Sequence, residues 1–201
     1  QFYLNGSLVS SVATTQSTFS NGAALLGDFC GAQNRPFAGY IDDFRIYSRA
    51  LSVGEIALLA AAPSSVPAAP STNLAAYFDF NGSITDRSGN SVATTTTGTM
   101  QYVRGVSGTA LYLANDANVT NYQVPANYVT SSYSFPSAFT VSMWANMTAA
   151  HATIAGIVFA TNNTTGGVTN TIFMGYNPGT KRYTTGFYGG NEVNLASATF
   201  T

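Results

Sequence analysis

Charge is the scarcest feature of this 201-residue sequence. Lys, Arg, Asp and Glu together make up 7% of it, and the formal net charge is −1. Phosphate backbones and anionic membrane surfaces are bound by clusters of Lys and Arg, which this sequence lacks. A membrane-spanning helix needs about 20 consecutive apolar residues, and no such run is present. We therefore expect no nucleic-acid partner and no membrane insertion within this segment.

Residues that carry chemistry are nearly as scarce. Cysteine and histidine occur once each, so Cys30 has no disulfide partner, a zinc site built from cysteines is excluded, and we expect a buried thiol. His151 has no acidic residue close in sequence, which leaves a nucleophilic triad without support. The two glutamates, Glu55 and Glu192, lack the spacing of paired glycosidase carboxylates. We predict that the chain is not an enzyme.

Aromatic residues make up 13% of the sequence. They occur in short Val/Ile/Phe/Tyr runs between Gly, Asn and Ser clusters, a pattern typical of an all-β protein. The stretch "FYLNGSLVSS" places an Asn-Gly turn between two strands and predicts a hairpin. Alternation in "FTVSMWANM" predicts a strand with Trp144 on one face, where we expect core or inter-sheet packing; a sugar-stacking platform is the alternative. The other face carries Phe139, Val141, Met143 and Ala145.

The stretch "GYIDDFRIYSRALSVGEI" predicts a strand followed by a helix. Ser52 and Glu55 have the spacing of a capping box, so we expect a short helix of one or two turns after Ser52. Simple alternation along the strand places Tyr40, Asp42, Phe44 and Ile46 on one face and Asp43, Arg45 and Tyr47 on the other.

Four stretches together resemble the laminin-G-like, concanavalin A-like jelly roll: "YFDFNGSITDRSGN", "FTVSMW", "YLNGSLV" and the strand-helix stretch just described. The resemblance implies an all-β fold, an antiparallel jelly-roll sandwich with one short helix after the closing strand. In that family the opening motif comes first, followed by the central strand, the Asn-Gly hairpin and the closing strand. In this sequence the last two precede the first two.

The reversed order suggests a division of the chain. We interpret residues 1–62 as the C-terminal part of a first jelly roll, 63–72 as a Pro/Ala/Ser linker, and 73–201 as the N-terminal part of a second, as in a tandem array. A linker of this composition spans roughly 30 Å. We favour two incomplete domains whose edges are covered by neighbouring repeat segments. The alternative is that the two parts close on each other as one permuted domain.

Calcium is the one cofactor that the sequence favours. The ion takes carboxylate and carbonyl oxygens from flexible loops, and the resemblance implies a site near the opening loop and the Asp-Asp strand, with Asp42, Asp79 and Asp86 as ligands. The alternative is structural: Asp86 caps the "DRSGN" turn, and Asp43 pairs with Arg45 in solvent.

Six asparagines lie in Asn-x-Ser/Thr triplets, the acceptor sequence for N-glycosylation. Glycans would add solubility to a surface with little charge, and we expect at least one of these positions to be modified. The six are Asn5, Asn81, Asn118, Asn146, Asn162 and Asn163.

The composition and the resemblance together favour a non-catalytic jelly-roll repeat of a larger extracellular, cell-surface or virion-surface protein. Its role would be structural or adhesive, as part of a capsid, spike or filament. Its partners would be neighbouring repeats or other surface or capsid proteins, with glycans as a further ligand class. The alternative is an accessory carbohydrate-binding domain of a secreted carbohydrate-active enzyme.

Overall fold

The computed structural model describes residues 1–11, 13, 24–27, 37–61, 69–113, 128–131, 138–148, 155–160, 171–177, 182–188 and 195–199. Within these residues all strand pairs are antiparallel. The elements are β1 (Phe2–Leu4), β2 (Ser7–Ser10), β3 (Ala24–Leu26), β4 (Gly39–Tyr47), α1 (Val53–Ala60), β5 (Leu74–Phe78), β6 (Thr94–Thr97), β7 (Gln101–Arg104), β8 (Thr109–Leu113), β9 (Tyr128–Ser131), β10 (Thr140–Met147), β11 (Ala155–Ala160), β12 (Thr171–Asn177), β13 (Arg182–Tyr188) and β14 (Leu195–Thr199).

The strands form two large sheets and a hairpin. The seven-stranded sheet has the order β14-β13-β12-β11-β3-β9-β6, and β1 pairs with β2 across the Asn-Gly turn. The five-stranded sheet has the order β10-β4-β8-β7, with β5 also paired to β4. The fold is therefore the all-β antiparallel jelly-roll sandwich that the sequence predicts, and the predicted hairpin is confirmed.

Strand β4 organises the five-stranded sheet. One of its edges pairs with β10 along nearly its whole length. The other edge is shared, because Gly39 to Ile41 pair with β8 and Phe44 to Tyr47 pair with β5. On this edge the partner strand changes from β8 to β5 at Asp42 and Asp43, the two residues between these pairings.

An extra residue in β4 marks this point. Asp43 has a φ of +52°, a conformation that Asp tolerates better than most residues. Asp42 lies opposite Trp144 and Arg45 lies opposite Ser142, so three steps along β4 match two along β10. This is the geometry of a β-bulge, which breaks simple alternation.

The bulge corrects the predicted faces of β4. Ile41 joins Phe44 and Ile46 in the buried core, whereas Tyr40 and Asp42 lie on the opposite face. The prediction that Tyr40 and Asp42 share a face with Phe44 and Ile46 is therefore wrong. The alternation of side chains between the two faces shifts at the bulge, because one residue of β4 has no partner in the ladder.

The core lies on one face of this sheet. The predicted apolar face of β10 packs against it, as expected, and Trp144 lies half-buried on the other face. Trp144 therefore does not belong to the core cluster, and inter-sheet packing on its own face stays a prediction. The buried core cluster consists of Leu26, Phe37, Ile41, Phe44, Ile46, Ala76, Phe78, Phe80, Leu111 and Leu113.

The helix begins as the sequence predicts. Ser52 Oγ accepts a hydrogen bond from Glu55 N at 3.3 Å, and Ser52 N donates to Glu55 Oε2 at 2.8 Å, which completes the capping box. Hydrogen bonds from Arg49 and Ser52 lower the pKa of Glu55 to about 2. Thr140 Oγ1 of β10 donates to Arg49 O and accepts from Leu51 N. The start of the helix is thereby fastened to β10.

The two parts of the chain share both sheets. Strand β4 lies among β5, β8 and β10, and β3 lies between β11 and β9. Tyr47 Oη also donates to Pro70 O at 3.0 Å, and Ser48 N donates to Asn73 O at 2.9 Å. The expectation that the two parts remain unpaired within this chain is contradicted by these ladders. The derivation from two tandem copies, with a linker at 63–72, stays a prediction.

A glycine substitution tests the seating of β10 on β4. Gly39 has a φ of +155°, and a Cβ there would lie 2.2 Å from Asn146 O and 2.9 Å from Met147 Cα. Because backbone atoms cannot move aside cheaply, we expect Gly39→Ala to lower the free energy of unfolding by about 2–4 kcal/mol in urea denaturation. Gly54→Ala is the matched control, since a Cβ there meets nothing within 4 Å. In the helix this change should raise stability by about 0.5–1 kcal/mol. Equal effects of the two changes would contradict the described packing.

Candidate functional site

The aspartates singled out by the sequence lie around the bulge of β4. Asp42 and Asp43 form the bulge itself, and Asp79 follows β5 directly. Asp86 lies in the loop between β5 and β6. The turn at 105–108, between β7 and β8, completes the region. Their contacts decide what these carboxylates can do.

Asp42 fastens the β7–β8 turn to β4. It is 2% exposed. Its Oδ2 accepts hydrogen bonds from Val106 N at 2.8 Å and Ser107 N at 3.1 Å, and its Oδ1 accepts from Asp43 N at 2.8 Å. Burial raises the pKa of Asp42 and outweighs these hydrogen bonds, which act to lower it. A Cβ at Gly105 would lie 2.4 Å from Asp42 Oδ2, so glycine is needed there for the turn to approach.

Asp43 joins β4 to β5. Its Oδ1 accepts from Tyr77 Oη at 2.7 Å and from Arg45 Nη2 at 3.1 Å. The guanidinium of Arg45 also lies 4.3 Å from the centre of the Tyr77 ring. Burial and the hydrogen bond to Asp43 raise the pKa of Tyr77 to about 12. The ion pair is thus the one expected, but it lies largely out of solvent, since both side chains are 11% exposed.

Asp86 organises the loop that follows β5. Its Oδ1 accepts from Tyr77 N and Ser88 N, both at 2.9 Å, and its Oδ2 accepts from Ser88 Oγ at 2.8 Å and Val92 N at 3.0 Å. Burial acts to raise the pKa of Asp86, but the hydrogen bonds from Val92, Ser88 and Tyr77 outweigh it, and the pKa is lowered. Asp86 therefore caps the turn, as the structural alternative predicted.

Asp79 has a looser environment. Its Oδ1 accepts from Asn81 N at 3.2 Å, and its Oδ2 lies 3.4 Å from Arg87 Nε, whose side chain is 46% exposed. The same loop is tied to β8, because Asn81 Oδ1 accepts from Thr109 N at 2.8 Å and Thr109 Oγ1 donates to Phe80 O at 2.6 Å. The opening loop thus has its own fastenings to the sheet.

These contacts do not fit a calcium cage. Calcium takes six to eight oxygen ligands, whereas all four carboxylate oxygens of Asp42 and Asp86 already accept hydrogen bonds from the protein. In the part of the chain that the structure describes, no group of three His, Cys, Asp or Glu side chains could hold a metal ion. Calcium at Asp42, Asp79 and Asp86 remains a prediction from the resemblance, which the arrangement of these side chains does not favour.

An aromatic row that sequence reasoning missed crosses the outer face of the five-stranded sheet. The rings of Tyr40 and Tyr112 stack with centroids 5.0 Å apart and an interplanar angle of 29°. Cross-strand pairing places residues of β10, β4, β8 and β7 side by side in the order Asn146, Tyr40, Tyr112 and Gln101. The bulge hides this row from simple alternation, and the usable signal was the Asp-Asp pair, since Asp tolerates positive φ.

The sequons occupy different settings. Asn5 lies in the β1–β2 turn with a φ of +50°, Asn81 lies in the loop after β5, and Asn146 lies exposed in β10. The other three, Asn118, Asn162 and Asn163, lie outside the described residues. Cys30, His151 and Glu192 lie outside them as well.

The comparisons with known proteins agree with the fold. A laminin G-type family model, described as the concanavalin A-like lectin/glucanases superfamily, matches residues 1–57. No curated protein and no solved structure matches the chain. The predicted likeness is thereby confirmed for the segment that contains β1 to β4 and the start of α1. That segment has a lectin-like fold of a type that is commonly extracellular and typically a non-catalytic binding domain.

The helical content of the chain bears on membrane crossing. Among the described residues, no helix combines the length and apolar character that a membrane span requires.

Removal of the Asp42 carboxylate tests its structural role. In Asp42→Ala, Val106 N and Ser107 N lose their acceptor, and we expect a loss of about 2–4 kcal/mol in the free energy of unfolding. Asp79→Ala is the control, because its more exposed contacts should be worth less than about 1 kcal/mol.

The contacts of the aspartates also predict that the chain has the same melting temperature in calcium and in EDTA. A lower melting temperature in EDTA would instead support the calcium site.

The acid dependence of stability tests Asp86. Because folding lowers its pKa below the unfolded value of about 3.9, its contribution is complete at neutral pH and is lost as pH falls through the folded pKa. The raised pKa of Asp42 acts in the opposite direction, favouring folding at low pH. We expect Asp86→Asn to lower the urea midpoint at pH 7, by an amount that shrinks toward pH 2. A difference that stays constant with pH would contradict the assignment.

Proposed function

We propose that this chain is a non-catalytic jelly-roll module of a larger extracellular, cell-surface or virion-surface protein, with a structural or adhesive role in a capsid, spike or filament. The observation that carries the proposal is the use of the acidic side chains. Asp42, Asp43 and Asp86 accept hydrogen bonds that hold loops and strands to β4 and β5. Glu55 caps α1 and binds Arg49.

Among the described residues, this use of the carboxylates leaves few of them free for catalysis. A glycosidase of this fold needs two carboxylates that face the substrate, about 5–5.5 Å apart in retaining enzymes. A carboxylate whose oxygens accept several N–H donors is held in one orientation, which suits a fastening role. The low overall charge and the jelly-roll fold are also consistent with a module that spaces, coats or adheres.

The proposed partners are neighbouring repeats or other surface or capsid proteins. The reversed order of motifs supports a tandem array, because consecutive copies of one domain would present a closing segment before the next opening segment. The two parts pair with each other within this chain, so contacts with neighbouring repeats would have to use other surfaces.

Carbohydrate binding is a second candidate function, as an accessory domain of a secreted carbohydrate-active enzyme. The observation that favours it is the lectin-like family match of residues 1–57. Fold alone does not decide between the two roles. Retention on insoluble polysaccharides, together with a catalytic domain in the same polypeptide, would favour this second candidate.

Surface digestion of the native source tests the proposal. Intact cells or particles are treated with trypsin, and the released peptides are identified by mass spectrometry. We expect cleavage after Arg87, which is 46% exposed in a loop, and no cleavage after the control residue Arg45, which is 11% exposed within β4. Release of Arg87 peptides only after lysis or disruption would contradict a surface location.

A further inference from the structure

One sequon lies beside the aromatic row. Asn146 is exposed in β10, directly opposite Tyr40 of β4, and Tyr40 stacks on Tyr112 of β8. Residues two apart on a strand share a face, so the half-buried indole of Trp144 lies on the same side of the sheet as Asn146. Thr148, which completes the Asn-Met-Thr triplet, is also exposed.

We propose that Asn146 is an N-glycosylation site built into this fold, with the first sugars of its glycan packed over Tyr40 and Tyr112. The inference rests on the proposed extracellular location, because N-glycans are added on the secretory route. In the reaction the Nδ2 of Asn146 loses one proton and bonds to the anomeric carbon of a lipid pyrophosphate-linked oligosaccharide. The bond from that carbon to the phosphate oxygen breaks, and the lipid pyrophosphate leaves.

The row suits the apolar face of a sugar. The rings of Tyr40 and Tyr112 are half-buried and stack on each other. Burial of the C–H face of a pyranose on such rings removes apolar area from water and is favourable. Directly opposite residues of an antiparallel pair have Cβ atoms about 4.5–5.5 Å apart. A sugar attached to Asn146 therefore starts within reach of the Tyr40 ring.

The other described sequons lack this setting. Asn5 lies in a tight turn beside Gly6, where an added Cβ would already lie 3.0 Å from Ala60 Cβ of α1. The side chain of Asn81 is committed to Thr109 N and packs on Gly108. Neither asparagine lies in a strand, so neither has a directly paired tyrosine as Asn146 has.

The position of β10 adds a second consequence. Among the described strands, β10 is the terminal strand of its sheet. A terminal strand presents unpaired backbone groups to which another chain can add. A bulky glycan at Asn146 would obstruct such an approach, so its loss should also increase self-association.

The first arm of the test uses the full chain secreted from a eukaryotic host. We expect glycopeptide mass spectrometry to find Asn146 occupied. Thr148→Ala abolishes this sequon without changing the asparagine, and we expect the melting temperature to fall by about 2–4 °C and self-association to rise. Thr148→Ser keeps the sequon and should restore both. Ser7→Ala, which abolishes the Asn5 sequon, is the matched control and should leave both unchanged.

The second arm separates the glycan from the side chains. In a bacterial host that adds no N-glycan, wild type and Thr148→Ala should melt at the same temperature. In the secreted protein, Tyr112→Ser should reduce the difference in melting temperature between the glycosylated and unglycosylated forms by about half, because the sugar loses one of its two rings.

Two results would overturn the inference. One is an unmodified Asn146 in the secreted chain. The other is a glycan-dependent difference in melting temperature that is the same with Tyr112 and with Ser at that position. Neither depends on the surface-digestion result, so a chain that proves not to be a surface protein would still give a separate answer at Asn146.

Discussion

The extra residue at Asp43 is the constraint on which the five-stranded sheet depends. It lets one edge of β4 pair with β8 and then with β5 while the other edge stays on β10. It also brings Ile41 into the core beside Phe44, and it keeps the Asp42 carboxylate out of that core. Without the bulge, regular alternation would direct Asp42 toward Phe44 and Ile46. A buried carboxylate there would lack hydrogen-bond donors, at a large cost in free energy.

The charged side chains in the described part of the chain are used mainly to hold the fold together. Each of the five acidic residues in the described part accepts at least one hydrogen bond from the protein. Several of these bonds come from backbone N–H groups of loops, which need partners when they lie near a core. A carboxylate has about four acceptor sites, twice as many as a hydroxyl or an amide oxygen. Although charged residues are few, most of the described acidic residues therefore serve to hold loops and strands in place.

Local patterns predicted much of the fold, and pairing between distant segments decided the rest. The capping box of Ser52 and Glu55, the Asn-Gly hairpin and the apolar face of β10 depend on neighbouring residues, and all three are confirmed. The Tyr40–Tyr112 stack and the surroundings of Asp42 depend on a bulge and on strands far away in sequence. The resemblance singled out Asp42, Asp79 and Asp86, but a ligand role and a fastening role call for the same residue types in the same loops. Contacts with N–H donors, which only the fold reveals, separate the two.

The reversed order of motifs is compatible with the fold because strand pairing depends on which strands lie side by side in space. It does not depend on the order in which the chain connects them. Strand β4 contributes hydrogen bonds on two edges and apolar side chains on one face, and these contacts are the same whichever end of the partner segment is joined to it. Hydrogen bonds connect the end of β4 to the start of β5, because Tyr47 binds Pro70 and Ser48 binds Asn73. The chain therefore re-enters the sheet directly beside the strand it has left. Chain ends that lie close together tolerate such exchanges of connection. The same contacts within the sheet would therefore serve either order of the two segments.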